Sequence, residues 1–157
     1  MPRPRIYRTN AAKQAAYRRR KRKRHSVWAT PPDLFASLDK EFRFDLDVCA
    51  LPENAKCARY FTPKEDGLAQ AWSGTVWMNP PYGPTCSRWV RKAFESAQQG
   101  ATVVCLLPAR TDTQWWHDHV LPHAELRYIR GRLKFNDAGD APFPSVVAIF
   151  KAWGGPQ

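Results

Sequence analysis

The chain has 157 residues, which is enough for one domain built around a single hydrophobic core. Its formal net charge of +11 is concentrated at the N-terminus, because residues 1–25 hold eleven Lys and Arg and no Asp or Glu, whereas the remainder holds fourteen of each sign. No apolar run approaches the ~20 residues of a membrane span, and the N-terminus lacks the apolar core of a secretory signal. Composition therefore predicts a soluble, cytoplasmic protein without a membrane partner.

Residues 1–25 are predicted to form a basic, disordered arm, and residues 26–157 a folded domain. The arm has few large apolar side chains whose burial could offset the entropy of ordering. Such an arm would attract nucleic acid through its phosphates, whereas a solvated tail or a nuclear-type address is the alternative reading. Its densest basic run supplies the candidate nucleic-acid-binding residues Arg18, Arg19, Arg20, Lys21 and Arg22.

Helical and strand patterns alternate after the arm. A helix is predicted from about Pro32. The segment FRFDLDVCA (42–50) alternates apolar and polar residues, which is typical of a strand. A short strand near Tyr60 and another at GTVWM (74–78) complete the first half.

The second half continues the alternation. A helix is predicted from about Thr85 to Gln99, followed by the apolar run ATVVCLLP (101–108), which is typical of a strand covered on both faces. A short helix is predicted at 112–120, a strand at 125–131, and two strands joined by a loop within 132–150. This order predicts an α/β domain whose mostly parallel sheet carries an antiparallel hairpin at its C-terminal end.

Polar residues follow three of the predicted strands and are expected to converge on one cleft, because ligands of open α/β sheets bind outside the carboxyl ends of the strands. They are Asp47 with Cys49 and Ala50, the stretch from Asn79 to Tyr82, and the stretch from Pro108 to Asp112. The four cysteines contain no CxxC pair, so reduced thiols and no metal site are predicted.

The stretch Asn79, Pro80, Pro81 and Tyr82 fits the methylation of an amino group on a nucleobase. The lone pair of that amine is delocalised into the ring, and acceptors for its two hydrogens would localise it. The Asn79 side-chain oxygen and a proline-fixed backbone carbonyl can supply them, and the Tyr82 ring can stack on a base that has left the helix. A strand-terminating turn is the alternative for the same four residues.

From about Val27 to Phe150 the chain resembles the phage-type DNA N6-adenine methyltransferases, the phage Dam-like family. The resemblance rests on WATPPDLFASLDKEF, FDLDVCALPENAKCARYFTPKEDGLAQAW, VWMNPPYG, LLPARTDTQWWH and GRLKF. It implies a Rossmann-like methyltransferase sheet, S-adenosylmethionine as methyl donor, and a phage or prophage gene expressed in a bacterial host. The donor contacts that it implies are Thr30, Pro31, Asp47, Cys49, Ala50 and Asp66. One departure is the turn after the first strand, DVCALPEN, which contains no glycine.

Further basic residues are candidates for contact with DNA. Arg110 follows a buried strand, and Arg132 and Lys134 lie close together with Arg130 around Gly131; solvated surface positions are the alternative. Asp66 precedes a glycine and is equally well explained as a turn residue.

The predicted function is transfer of a methyl group to the N6 amine of adenine in DNA, with the base flipped out of a duplex or presented on a single strand. Two alternatives stay open at this point. One is methylation of another amine, such as cytosine N4, an RNA adenine or a protein glutamine. The other is an inactive nucleic-acid-binding protein on the same scaffold.

Overall fold

The computed structural model describes residues 9–25, 28–135 and 139–154. Its strands are β1 (Leu46–Asp47), β2 (Arg59–Tyr60), β3 (Thr75–Met78), β4 (Thr102–Pro108), β5 (Glu125–Tyr128) and β6 (Ser145–Phe150). Its helices are α1 (Asn10–His25), α2 (Pro32–Phe42), α3 (Cys86–Gln98) and α4 (Leu121–His123). A 3-10 turn lies at Gly67–Ala69, and a π-helical turn at Trp116–Val120 leads into α4. No helix in the described ranges is both long and apolar enough to cross a membrane.

One six-stranded mixed sheet runs through the domain in the order β2-β1-β3-β4-β6-β5. Parallel pairings join β2 to β1, β1 to β3 and β3 to β4. Strand β6 lies between β4 and β5 and is antiparallel to both. Strands β2 and β3 lie on opposite sides of β1, so the strand order changes direction at β1. This change of direction is the switch point of the sheet, and ligands of open α/β sheets bind there, beside the carboxyl ends of the strands.

Apolar side chains of β4 alternate between two separate cores. Val103, Cys105 and Leu107 pack with α3, whereas Val104 and Leu106 pack with Leu38 of α2. The continuous apolar run at 101–108 is thus explained by burial on both faces.

Two predicted strands differ from the structure. The strand predicted across 42–50 is limited to β1, because α2 extends through Phe42 and Arg43 then ends the helix in the left-handed region at a φ of 55°. The strand predicted at the start of 132–150 is absent from residues 132–135, which run as an irregular segment. Strand β6 pairs instead with β5, across the long connection 129–144.

Helix α1 occupies part of the segment that was predicted to be a disordered arm. The segment is rich in Ala, Lys, Arg and Gln, which have high helix propensities. Thr9 caps its start, since the Thr9 Oγ1 accepts a hydrogen bond from the Ala12 N–H at 3.1 Å. Residues 1–8 and the side chains of residues 19–25, which include Arg19, Arg20, Lys21 and Arg22, lie outside the described part of the chain.

Candidate active site

A cavity of about 330 Å³ opens at the carboxyl ends of the first three strands. Its walls come from segments 47–51 after β1, 61–63 after β2, 79–81 after β3 and 28–30 before α2. The cavity therefore lies at the switch point of the sheet. Eight of the residues predicted for the site line it: Thr30, Asp47, Cys49, Ala50, Asp66, Asn79, Pro80 and Pro81.

Asp47 closes the loop that follows β1. Its Oδ1 accepts a hydrogen bond from the Cys49 N–H at 3.2 Å, and its Oδ2 accepts one from the Lys56 N–H at 3.0 Å. Asp47 is 3% exposed, and this burial raises the pKa of its carboxyl above the ordinary value, although the two N–H donors and the nearby Lys56 charge oppose the shift. The side chain thus holds the loop in place, and the residue lines the cavity.

Asn79 is held by both ends of its carboxamide. The Nδ2 group donates to the Trp28 carbonyl oxygen at 2.5 Å and to the Thr30 Oγ1 at 3.0 Å. The Oδ1 accepts a hydrogen bond from the Tyr82 hydroxyl at 2.9 Å. Because both amide hydrogens are used by the segment before α2, the orientation of the carboxamide is fixed, and its oxygen is the atom left to accept from a ligand.

Tyr82 lies behind Asn79 rather than on the cavity wall. Its ring packs edge-on against Phe143 at 5.4 Å and Phe135 at 6.2 Å between centroids. Its hydroxyl also lies 3.1 Å from the Leu106 carbonyl oxygen. Burial raises the pKa of this hydroxyl well above its ordinary value, so it stays protonated and able to donate.

Asp66 and Gly67 form the part of the wall that packs against the residue after β1. Asp66 is exposed, has a φ of 54°, and its Oδ1 accepts from the Leu68 N–H at 3.2 Å. Asp66 is thus a turn residue, and it also lines the cavity. Gly67 is buried so tightly that a Cβ at its position would lie 2.2 Å from the Val48 carbonyl oxygen.

The thiol of Cys49 is not an acid–base or nucleophilic group at neutral pH. Burial, followed by the charge of Asp47, raises its pKa to about 12. All four cysteines are free. Within the described residues, no three His, Cys, Asp or Glu side chains cluster so that they could hold a metal ion.

The other predicted site residues lie outside the cavity. Pro31 is the residue before α2 and does not line the wall. Arg110 is exposed, and its guanidinium lies 5.8 Å from the centre of the Phe143 ring. Arg132 and Lys134 are exposed on the segment that ends at Phe135, whose ring packs against Trp28. Arg18 is exposed on α1.

The cavity-wall residues that sequence reasoning missed include Trp28, Lys56 and Gly67. Lys56 lies in a turn-rich stretch without helical or strand periodicity, so only its spacing from Asp47 could have signalled it. The only signal for Gly67 was its place after Asp66 in an Asp-Gly turn. Trp28 precedes the first predicted helix of the domain, and its contact with Asn79 spans 51 positions of the chain.

Comparison with known proteins finds a matching family profile and similar phage proteins. A family profile described as DNA N-6-adenine-methyltransferase (Dam) matches residues 18–156. A DNA N-6-adenine-methyltransferase of Haemophilus phage HP1 is 35% identical over 120 residues, which cover 73% of this chain and 69% of the relative. A protein of the same name from Escherichia phage T1 is 31% identical over 110 residues, covering 68% of this chain and 46% of the relative.

Proposed function

This chain belongs to the DNA N-6-adenine-methyltransferase (Dam) family, and we propose that its cavity holds S-adenosylmethionine beside an adenine taken out of DNA. It is an adenine-specific DNA methyltransferase. The observation that carries the proposal is that Asn79 and Pro80, at the end of β3, share one cavity with Asp47, at the end of β1. The groups proposed to accept hydrogen bonds from the target amine are therefore next to a polar site for the donor.

The cavity fits the proposed donor. Its volume of about 330 Å³ lies within the range of small-molecule pockets, and it combines aromatic walls from Trp28 and Trp77 with carboxylates from Asp47 and Asp66. In this proposal Asp47 binds the ammonium of the donor's methionine portion, and Asp66 binds the adenine amine of the donor. The donor supplies an electrophilic methyl group on a sulfonium sulfur.

The protein's part in the reaction is to localise the lone pair of the target amine. Asn79 Oδ1 and the Pro80 carbonyl oxygen accept the two N6 hydrogens, so that positive charge developing on N6 meets two fixed dipoles. Asn79 is prepared for this by the bonds that its Nδ2 makes to Trp28 and Thr30. No general base is required, because the amine can release its proton to water after the transfer.

The position of Tyr82 gives it a second proposed role, which is to hold Asn79 in place. A carbonyl oxygen has two lone pairs, so Asn79 Oδ1 can accept from the Tyr82 hydroxyl and from adenine N6 at the same time. Tyr82 thereby acts as a positioning residue for Asn79. Stacking of the extruded adenine on the Tyr82 ring stays a prediction.

Tyr82→Phe should separate these two roles. The variant keeps the ring and loses the hydroxyl, so we expect kcat to fall by about tenfold and the free energy of unfolding by about 1 kcal/mol, the usual net value of one hydrogen bond. Affinity for the donor should be unchanged. Tyr82→Ala, which also removes the ring, serves as the comparison in the same kinetic and thermal-unfolding assays; equal kcat losses in the two variants would contradict a separate role for the ring.

The proposal also covers the type of the sheet and the binding of DNA. We infer that the six-stranded sheet is of the Rossmann-like methyltransferase type, whose ligands bind at its switch point. DNA would be held by its phosphates through the basic N-terminal segment, with Arg110, Arg132 and Lys134 as further contacts. Phage-encoded relatives support a role inside a bacterial host.

Methyl transfer from tritiated S-adenosylmethionine to unmethylated DNA tests the proposed function directly. We expect label in DNA that is recovered, after digestion, as N6-methyldeoxyadenosine. Duplex and single-stranded substrates of the same sequence should be compared, because base extrusion costs less from a single strand. Label recovered in N4-methyldeoxycytidine, or in RNA but not DNA, would overturn the acceptor assignment, and absence of calorimetric heat with S-adenosylhomocysteine would overturn the assignment of the cavity.

A further inference from the structure

Residues 48–52, at the start of the loop after β1, have no free backbone donors with which to bind an anion. The Val48 N–H donates to the Trp77 carbonyl, the Cys49 N–H to Asp47, and the Ala50 N–H to the Phe61 carbonyl. The Leu51 N–H donates to the Asn54 Oδ1 at 2.7 Å. Residue 52 is a proline and has no N–H. In glycine-containing turns such N–H groups commonly bind an anionic ligand group, so here another group must do so.

Lys56 is the one cation among the described residues that line the cavity. Its backbone is fixed at the end of the same loop, since its N–H donates to Asp47 Oδ2 at 3.0 Å. Its Nζ lies 5.7 Å from the centre of the Phe35 ring. None of the ion pairs formed by the described residues includes Lys56.

Lys56 and Asp47 therefore line the same end of a largely apolar cavity, joined by the hydrogen bond between the Lys56 N–H and Asp47 Oδ2. This pairing is complementary to a free α-amino acid group, whose ammonium can bind a carboxylate while its carboxylate binds an ammonium. We propose that Lys56 binds the α-carboxylate of the donor's methionine portion while Asp47 binds its α-ammonium. The inference rests on the proposed function, and it supplies the anion-binding group that the glycine-free turn does not provide.

Calorimetry with two matched ligands tests the inference. S-adenosylmethionine carries the α-carboxylate, and decarboxylated S-adenosylmethionine lacks only that group. The wild-type chain should bind the second ligand about 10- to 100-fold more weakly, the range expected for one charge-assisted hydrogen bond. Lys56→Met should lose about the same factor for S-adenosylmethionine and bind the decarboxylated ligand with wild-type affinity. Lys56→Arg should recover part of the loss.

Lys64→Met is the matched control, because Lys64 is exposed on the neighbouring loop and does not line the cavity. It should leave both affinities unchanged. If Lys56→Met weakens both ligands equally, or neither, Lys56 does not bind the carboxylate and the inference is overturned while the proposed function stands. If the wild-type chain binds neither ligand, the proposed function fails and the inference fails with it. Thermal unfolding of each variant separates loss of affinity from loss of folding.

Discussion

Asn79→Ala is expected to lower kcat for adenine methylation by about 10²- to 10³-fold, the loss usually seen when one preorganised electrostatic contact to a transition state is removed. The variant deletes the oxygen that accepts from N6 and leaves the Pro80 carbonyl as the remaining acceptor. Affinity for the donor should change little, because the proposed donor contacts, Asp47, Lys56 and Asp66, do not include Asn79. Steady-state transfer of tritiated methyl groups and calorimetry with S-adenosylhomocysteine measure the two quantities separately.

Thr30→Ala controls for loss of positioning. Thr30 Oγ1 accepts from Asn79 Nδ2 at 3.0 Å, but the Trp28 carbonyl accepts from the same nitrogen at 2.5 Å. The carboxamide should therefore keep its orientation, and kcat should fall by less than about tenfold, consistent with one neutral hydrogen bond. An Asn79→Ala variant that retains near-normal kcat would refute the acceptor role, and a Thr30→Ala loss as large as that of Asn79→Ala would assign the effect to positioning.

Elements with strong local signals were predictable from the sequence. The apolar runs at 74–78 and 101–108 and the helical spacing from Thr85 to Gln99 correspond to β3, β4 and α3. The convergence of the residues that follow β1 and β3 was also predictable, since parallel strands bring their carboxyl ends to one edge of a sheet. Their place after a strand was enough to predict that Cys49, Ala50, Pro80 and Pro81 lie in the cavity wall.

Features that depend on contacts between distant segments were not predictable. Tyr82 was expected on the cavity wall, but Phe135 and Phe143, more than fifty positions later, draw its ring into an aromatic cluster. The irregular segment 132–135 was predicted to be a strand, but its Phe135 is buried and its Leu133 half-buried against that cluster instead of against a neighbouring strand. Helix α1 was missed for the opposite reason: low apolar content argued for disorder, while local propensity and the Thr9 cap favour a helix.

Gly67→Ala is expected to destabilise the protein by about 1–3 kcal/mol, the usual cost of overpacking. The added Cβ would lie 2.2 Å from the Val48 carbonyl oxygen and 3.1 Å from the Trp89 ring. The nearer atom belongs to the backbone at the end of β1, so it cannot rotate away as a side chain could. Thermal unfolding should show a midpoint lower by several degrees, since about 1 kcal/mol corresponds to about 2–4 °C for a chain of this size.

The same substitution should also weaken donor binding by at least about tenfold, because relief of the clash requires the turn at 66–69 to move away from the loop after β1, and both form the cavity wall. Gly154→Ala is the matched control, since a Cβ there meets no atom within 4 Å and the residue has no positive φ. It should leave both the unfolding midpoint and the affinity for S-adenosylhomocysteine unchanged. A Gly67→Ala variant as stable as Gly154→Ala would mean that the turn yields freely, and the close approach of Gly67 to Val48 would then contribute nothing to the shape of the donor site.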